Sequence, residues 1–186
     1  MPDRALRRAV FLDRDGTLNV DTGYISRPEG VRLMPNAAEA ARALSEAGYA
    51  LIIVSNQSGI ARGTITTAQA EAVDAKVLDL LRERGVHIEA TYRCPHLPGG
   101  KVAEFAVECD CRKPKPGMIA QAARELGLDL AQSWTVGDGV RDVEAGLAAG
   151  TRAVLIADRD APGGADARVM RAKDLLDAAR TIATKE

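Results

Sequence analysis

The chain has 186 residues, 46% of them hydrophobic and 27% charged, enough to bury one core and too few for two, so a single domain over 1–186 is expected. Its 25 basic and 26 acidic side chains leave a formal net charge of −1, which excludes the basic field that non-specific nucleic-acid binding needs. No apolar run reaches the roughly 18 residues of a membrane span, and no signal-length apolar stretch follows Met1-Pro-Asp-Arg-Ala-Leu-Arg-Arg8, so a cytoplasmic protein with no membrane partner, monomeric by default, is expected.

Strand-length apolar runs alternate with helical periodicities along the chain. Ala9 to Asp13 reads as a strand, Asn36 to Ala47 as a helix, Tyr49 to Ser55 as a strand, Thr67 to Arg84 as a helix and Ile88 to Arg93 as a strand. Gly117 to Leu126 reads as a helix, Trp134 to Asp138 as a strand, Val140 to Ala149 as a helix, Ala153 to Ala157 as a strand and Lys173 to Ala183 as a last helix. Gly48, Gly85, Gly127 and Gly150 stand where left-handed C-caps belong, and Asn36 with Glu39 has the spacing of a capping box. Leu51-Ile-Ile-Val54 is apolar on both faces, which calls for cover on both sides of a parallel sheet. The fold class is therefore α/β, a doubly wound parallel sheet.

Two segments break the alternation, Arg14 to Pro35 and Cys94 to Pro116, and loops of that length inside a domain usually carry function. The stretch from Asp158 to Arg171 gives no usable pattern.

Ligands of such sheets bind beyond the carboxyl ends of the strands. Those ends carry Asp13, Ser55-Asn-Gln-Ser-Gly59, Cys94 and Gly137-Asp138. Asp13 and Asp15 flank Arg14 before Gly16-Thr17, a turn that can aim two carboxylates into one small volume. Crowded carboxylates repel unless a cation sits among them, and magnesium favours a few oxygen ligands plus phosphate. Asp13, Asp138 and the backbone carbonyl of Asp15 are the expected Mg2+ ligands.

A carboxylate can also attack phosphorus, so Asp13 is read as nucleophile and Asp15 as general acid and base. Arg112-Lys113-Pro-Lys115, together with the magnesium, would neutralise the phosphate oxygens, and Ser55 with the N–H groups after it would complete the phosphate cradle. Taken singly, Asp13 could as well cap a turn, and the lysines could be solvated surface. Their coincidence at successive strand ends is what points to a site.

Cys94-Pro-His96 and Cys109-Asp-Cys111 hold all three cysteines and one of the two histidines, a Cys3His set suited to structural Zn2+. The bland alternative is three inert thiols packed as small hydrophobes. His87 has no such company and reads as a solvated residue.

Asp13-Arg-Asp-Gly-Thr-Leu18, Ser55-Asn-Gln-Ser-Gly-Ile-Ala-Arg-Gly63, Cys94-Pro-His96, Cys109-Asp-Cys-Arg-Lys-Pro-Lys-Pro-Gly117 and Gly137-Asp138 together resemble the haloacid dehalogenase (HAD) superfamily. Within it, the chain is similar from about Ala9 to Ala157 to the D-glycero-D-manno-heptose 1,7-bisphosphate phosphatases, with histidinol-phosphate phosphatases as close relatives. The resemblance implies a capless phosphatase with Asp13 as nucleophile, Asp15 as proton donor, Ser55 and Lys113 stabilising phosphate, and Asp138 on magnesium. It implies a sugar-phosphate site lined by Asp21, Thr22, Gly23, Tyr24, Ser55, Asn56, Gln57, Ser58, Arg112 and Lys113, shaped by the zinc loop and the loop around Tyr24. Members often carry Lys directly after the aspartate of the fourth strand end. Gly139 stands there in this chain, so that substrate contact is lost unless Lys115 or Arg141 substitutes. A reading from another class is a zinc-stabilised binding module without turnover, whose mark would be loss of Asp13 or Asp15; both are present.

Overall fold

In the computed structural model, which describes residues 6–157 and 166–185, the short apolar runs form the interior of one sheet. In chain order the elements are β1 (Ala9–Leu12), α1 (Ala37–Glu46), β2 (Ala50–Asn56), α2 (Thr67–Arg82), β3 (Ala90–Cys94) and α3 (Gly117–Leu126). They continue with β4 (Trp134–Gly137), α4 (Val140–Ala149), β5 (Arg152–Ile156), β6 (Val169–Ala172) and α5 (Leu175–Ala183). The first five residues, part of the leader-free start expected above, and residues 158–165, inside the stretch without a pattern, lie outside the described residues.

Among the described residues the strands make one six-stranded sheet in the order β3-β2-β1-β4-β5-β6, and every pairing is parallel. This is the doubly wound arrangement, whose strand order reverses between β1 and β4. The two-residue period of a strand sorts β1 onto two cores. Val10 and Leu12 join Leu51, Ile53, Val136 and Val154 under α1, α2 and α5, whereas Ala9 and Phe11 join Ile52 and Val54 under α3. Each large side chain so buried contributes about 1.5–3 kcal/mol of transfer free energy. Cover on both faces is the reason β2 is apolar throughout.

Gly48, Gly85, Gly127 and Gly150 all have positive φ after their helices, as expected. The capping box does not form at Asn36. That residue is itself left-handed (φ 60°), and its side chain makes no capping bond. A reciprocal box forms instead at α2, where the Gln69 N–H donates to Thr66 Oγ1 (3.1 Å) and the Thr66 N–H to Gln69 Oε1 (2.8 Å). Asp174 caps α5 by accepting from the Asp177 N–H at 2.8 Å.

β6 is an addition to the elements read from sequence. Its four residues, Val-Met-Arg-Ala, form an edge strand held by β5, too short and too mixed to give a periodic signal. The loop after β1 is also less irregular than its composition suggests. Its start is knotted by the Leu18 and Asn19 N–H groups donating to the Arg14 carbonyl, and a short 3-10 turn spans Pro28–Gly30. No helix among the described residues is long and apolar enough to cross a membrane.

Candidate active site

β1 and β4, the two strands at the reversal, end side by side, and the Asp13 N–H donates to the Val136 carbonyl (2.9 Å). The Asp13 side chain is thereby fixed at the carboxyl edge, 4% exposed. Lys113, 2% exposed, reaches it from the loop before α3, donates hydrogen bonds to Asp13 Oδ1 and the Val54 carbonyl, both at 2.7 Å, and forms an ion pair with Asp142 Oδ1 at 2.7 Å without a hydrogen bond to it. Asn56, at the end of β2, holds the Lys113 backbone from both sides: its Nδ2 donates to the Lys113 carbonyl (3.0 Å), and its Oδ1 accepts from the Lys113 N–H (3.1 Å).

Asp13, Asp138 and Asp142 bring carboxylate oxygens within 4.8 Å of one another. One lysine among three carboxylates leaves excess negative charge. The Asp13 carboxyl is raised to about 6, by burial first, with the Lys113 ammonium opposing the rise and Asp142 adding to it. Asp138 is also raised, by burial first and then by Asp142, while Arg141 opposes the rise. An all-oxygen donor set with surplus negative charge is what a magnesium ion fits. Gly16 makes the convergence possible. Its φ is +82°, and a Cβ built there would lie 2.1 Å from Asp138 Oδ2, so both backbone and space require glycine.

Asp15 stands apart from that group. Its carboxylate accepts from Arg14 Nε and Nη2, from Asn19 Nδ2 (2.9 Å) and from Gln57 Nε2 (2.6 Å). Gln57 Nε2 also donates to Ser55 Oγ (2.8 Å), joining the buried hydroxyl to Asp15.

A cavity of about 380 Å3 opens over these groups, lined by Asp13, Asp15, Asp21, Gly23, Tyr24, Asn56, Gln57, Ser58, Arg112 and Arg141. Tyr24 Oη and Ser58 Oγ meet across it at 3.3 Å. Thr22 is not among the lining residues, and Ser55 and Lys113 lie below the surface, next to Gln57 and Asp13 respectively. Lys115 turns away, its Nζ bonding the Cys109 carbonyl at 2.9 Å, so of the two candidates for the contact missing at Gly139 only Arg141 reaches the cavity. A Cβ on Gly139 would come within 3.5 Å of both Arg141 Cγ and Cζ, so this guanidinium lies over the position that carries no side chain. A larger cavity, about 560 Å3, opens at the opposite, amino edge among Arg7, Tyr49, the exposed His87 and Glu89. It is remote from the convergent carboxylates.

The second cluster sits beside the first. β3 delivers Cys94 to the carboxyl edge, where it meets His96, Cys109 and Cys111. Sγ of Cys94 is 3.7 Å from His96 Nδ1 and 3.6 Å from Cys109 Sγ; Cys111 Sγ is 3.3 Å from both His96 Nδ1 and Cys109 Sγ. A tetrahedron with zinc–sulfur bonds of about 2.3 Å and zinc–nitrogen of about 2.0 Å has edges of about 3.5–3.8 Å. The four ligands fit such an ion. Burial pushes the Cys94 and Cys111 thiols up, and a bound cation offsets that by favouring the thiolates. Arg112 Nη1 donates to the His96 carbonyl (3.2 Å), tying the cavity wall to this cluster.

Asp142, Arg14 and Asp74 were not singled out from sequence. Asp142 has a retrievable signal: it falls four residues after Asp138 in the first turn of α4, where its Oδ2 accepts from the Gly139 N–H (3.0 Å). Arg14 and Asp74 have none, because their pairing joins segments 60 residues apart.

A parallel sheet in this order, with carboxylates gathered at its reversal and a lysine between them, defines a HAD-like hydrolase, and the HAD-hydrolase-like family model matches residues 110–174. The chain is 47% identical to the D-glycero-beta-D-manno-heptose-1,7-bisphosphate 7-phosphatase of Yersinia pestis, over 79% of each chain. It is 45% identical to the protein of that name in Escherichia coli (strain K12), over 79% of this chain and 78% of the other. The crystal structure of D,D-heptose 1,7-bisphosphate phosphatase from B. bronchiseptica, complexed with magnesium and phosphate, superimposes with a TM-score of 0.83 at 31% identity, covering 96% of this chain and 99% of that one. The chain belongs to the heptose bisphosphate phosphatase family of HAD-superfamily hydrolases.

Proposed function

We propose that the protein, acting as one domain, removes the C7 phosphate of D-glycero-D-manno-heptose 1,7-bisphosphate in the synthesis of nucleotide-activated heptose. The observation that carries this is the meeting of Asp13 and Asp15 at one polar cavity, with Lys113 bonded to Asp13 beneath it, in a chain 47% identical to a 7-phosphatase. Lys113 occupies Asp13 Oδ1, which leaves Oδ2 to attack phosphorus. As that bond forms, the bond from phosphorus to the sugar oxygen breaks, and Asp15 gives its proton to the departing alkoxide. Water then attacks the phosphorus of the aspartyl phosphate, Asp15 takes the proton, and inorganic phosphate leaves with the Asp13 carboxylate restored. Ser55, whose oxygen already accepts from Gln57, has its own hydroxyl proton to offer a phosphate oxygen.

Mg2+ would be held by Asp13, Asp138 and the Asp15 backbone carbonyl, with Asp142 alongside, and when bound it supplies positive charge to the phosphoryl oxygens. Zn2+ would be held by Cys94, His96, Cys109 and Cys111 and would fix the loop that carries Arg112 and Lys113. Arg112 and Arg141 on the cavity wall suit the second phosphate, and Asp21 and Tyr24 the sugar hydroxyls. Free thiols in a zinc-type cluster fit a reducing compartment, so we place a monomer in the cytoplasm.

The test is phosphate release, with magnesium, from heptose 1,7-bisphosphate, histidinol phosphate and several sugar monophosphates. The bisphosphate is expected to give the highest kcat/KM. A higher value for histidinol phosphate or a monophosphate would contradict the substrate assignment and leave the chemistry standing.

A further inference from the structure

Behind Asp15 lies a charged chain that the mechanism above does not use. Arg14 is 1% exposed, and its guanidinium is shared between two carboxylates. The Nε and Nη2 edge grips Asp15, with Nη2 at 2.8 Å from Oδ2, while Nη1 donates to Asp74 Oδ1 at 2.6 Å. Asp74, on α2, is 7% exposed, and its second oxygen accepts from Arg93 Nη1 on β3. Arg93 reaches Glu71 at the rim, 3.4 Å away. The loop after β1, a helix and an edge strand are thus joined through Asp15, Arg14, Asp74 and Arg93, with Glu71 at the rim.

We infer that Asp74 is a positioning residue for the reaction: braced by Arg93, it fixes the plane of Arg14, and Arg14 fixes Asp15. The inference rests on the reading of Asp15 as proton donor. Buried ion pairs of this kind contribute little net stability compared with apolar side chains of the same volume, so stability alone does not account for four charged groups in this place. What the chain does supply is direction. A guanidinium is planar with donors in a fixed fork, so pinning Nη1 to Asp74 sets where the Nε and Nη2 edge points. Asn19 and Gln57 each offer Asp15 one amide donor; Arg14 alone holds it through two nitrogens at once. Without Asp74 the buried Arg14 has Asp15 as its single acidic partner, and the pull of Asp15 on it is no longer balanced from the other side.

Displacements near an ångström at a reacting group cost about 10- to 100-fold in rate. Asp74→Asn is therefore expected to lower kcat about 10- to 100-fold with KM within about threefold of wild type, because Asp74 does not line the cavity and the groups assigned to the sugar and the second phosphate, Asp21, Tyr24, Arg112 and Arg141, are not bonded to this charged chain. The deciding measurement is the same substitution in an Asp15→Asn background. A positioning role acts through Asp15, so D15N/D74N should turn over no more slowly than D15N. An equal fold-loss in both backgrounds would show a merely structural role and overturn the inference, as would wild-type kcat in D74N. If D15N itself keeps wild-type kcat, the reading of Asp15 falls first, which separates the two failures. Should D74N unfold below the assay temperature, Arg14→Lys keeps the buried charge, lacks the fork, and carries the same comparison with the same deciding outcomes.

Discussion

The two clusters at the carboxyl edge are built from opposite materials. Asp13, Asp138 and Asp142 come from strand ends and the first turn of a helix, are hard oxygen donors, and reach an open cavity through Asp13. Cys94, His96, Cys109 and Cys111 come from one strand end and a loop, are soft donors, and close on themselves within 3.3–3.7 Å along the measured edges. A site with its donors already saturated can only hold structure, whereas one with surplus charge and an open side can act on a ligand. Arg112, bonded to the His96 carbonyl, and Lys113 beside it are where the first kind of site supports the second.

The comparison is broken most severely at Asp13. Asp13→Asn should lower kcat by about 10³-fold or more, since an amide is a poor nucleophile, while zinc content and the far-ultraviolet circular dichroism spectrum stay as in wild type. Brief chelation with EDTA should abolish turnover and added magnesium restore it, with zinc still bound by elemental analysis. Magnesium keeps water ligands and exchanges readily, whereas a thiolate shell does not. Restoration only by zinc would reverse the roles of the two clusters.

A smaller effect is expected from Cys109→Ser. It should cut zinc stoichiometry and lower the thermal midpoint by about 5–10 °C, a loss of a few kcal/mol in a chain of this size. Any fall in activity would follow the disorder of Arg112 and Lys113. Smallest of all, Arg141→Ala should raise KM for the bisphosphate about tenfold and leave sugar monophosphates unchanged, as befits one exposed cation facing a second phosphate. An equal change for both substrate types would place Arg141 at the reacting phosphate instead.

What could be read from the amino-acid order follows the range of the interactions. The Asp-x-Asp-Gly turn, the Ser55 turn, the Cys and His pairs and the all-apolar runs that call for a covered parallel sheet are local patterns, each complete within a few residues. Gly48, Gly85, Gly127 and Gly150 mark helix ends because a left-handed residue is a local demand. Asn36 misled for the same reason. The residue is left-handed itself, so the Asn-x-x-Glu spacing was present without the geometry that gives it meaning. β6 escaped because an edge strand of four residues owes its existence to β5. Asp142 went unmarked because what distinguishes it from any other first-turn acid is Lys113, which comes from another loop. Arg14, Asp74 and Arg93 carry no local signal, and only tertiary contact makes them one unit. Long-range charge pairing leaves no periodicity to find.

The most direct test of the account is to trap the covalent intermediate. Wild-type enzyme with magnesium, mixed with substrate labelled in the C7 phosphate and quenched in acid within one turnover, should carry label on protein. Borohydride reduction followed by peptide mass spectrometry should then place the modification at Asp13. Label found on another residue, or full turnover with no protein-bound phosphate at any quench time, would contradict the central claim that Asp13 is the nucleophile.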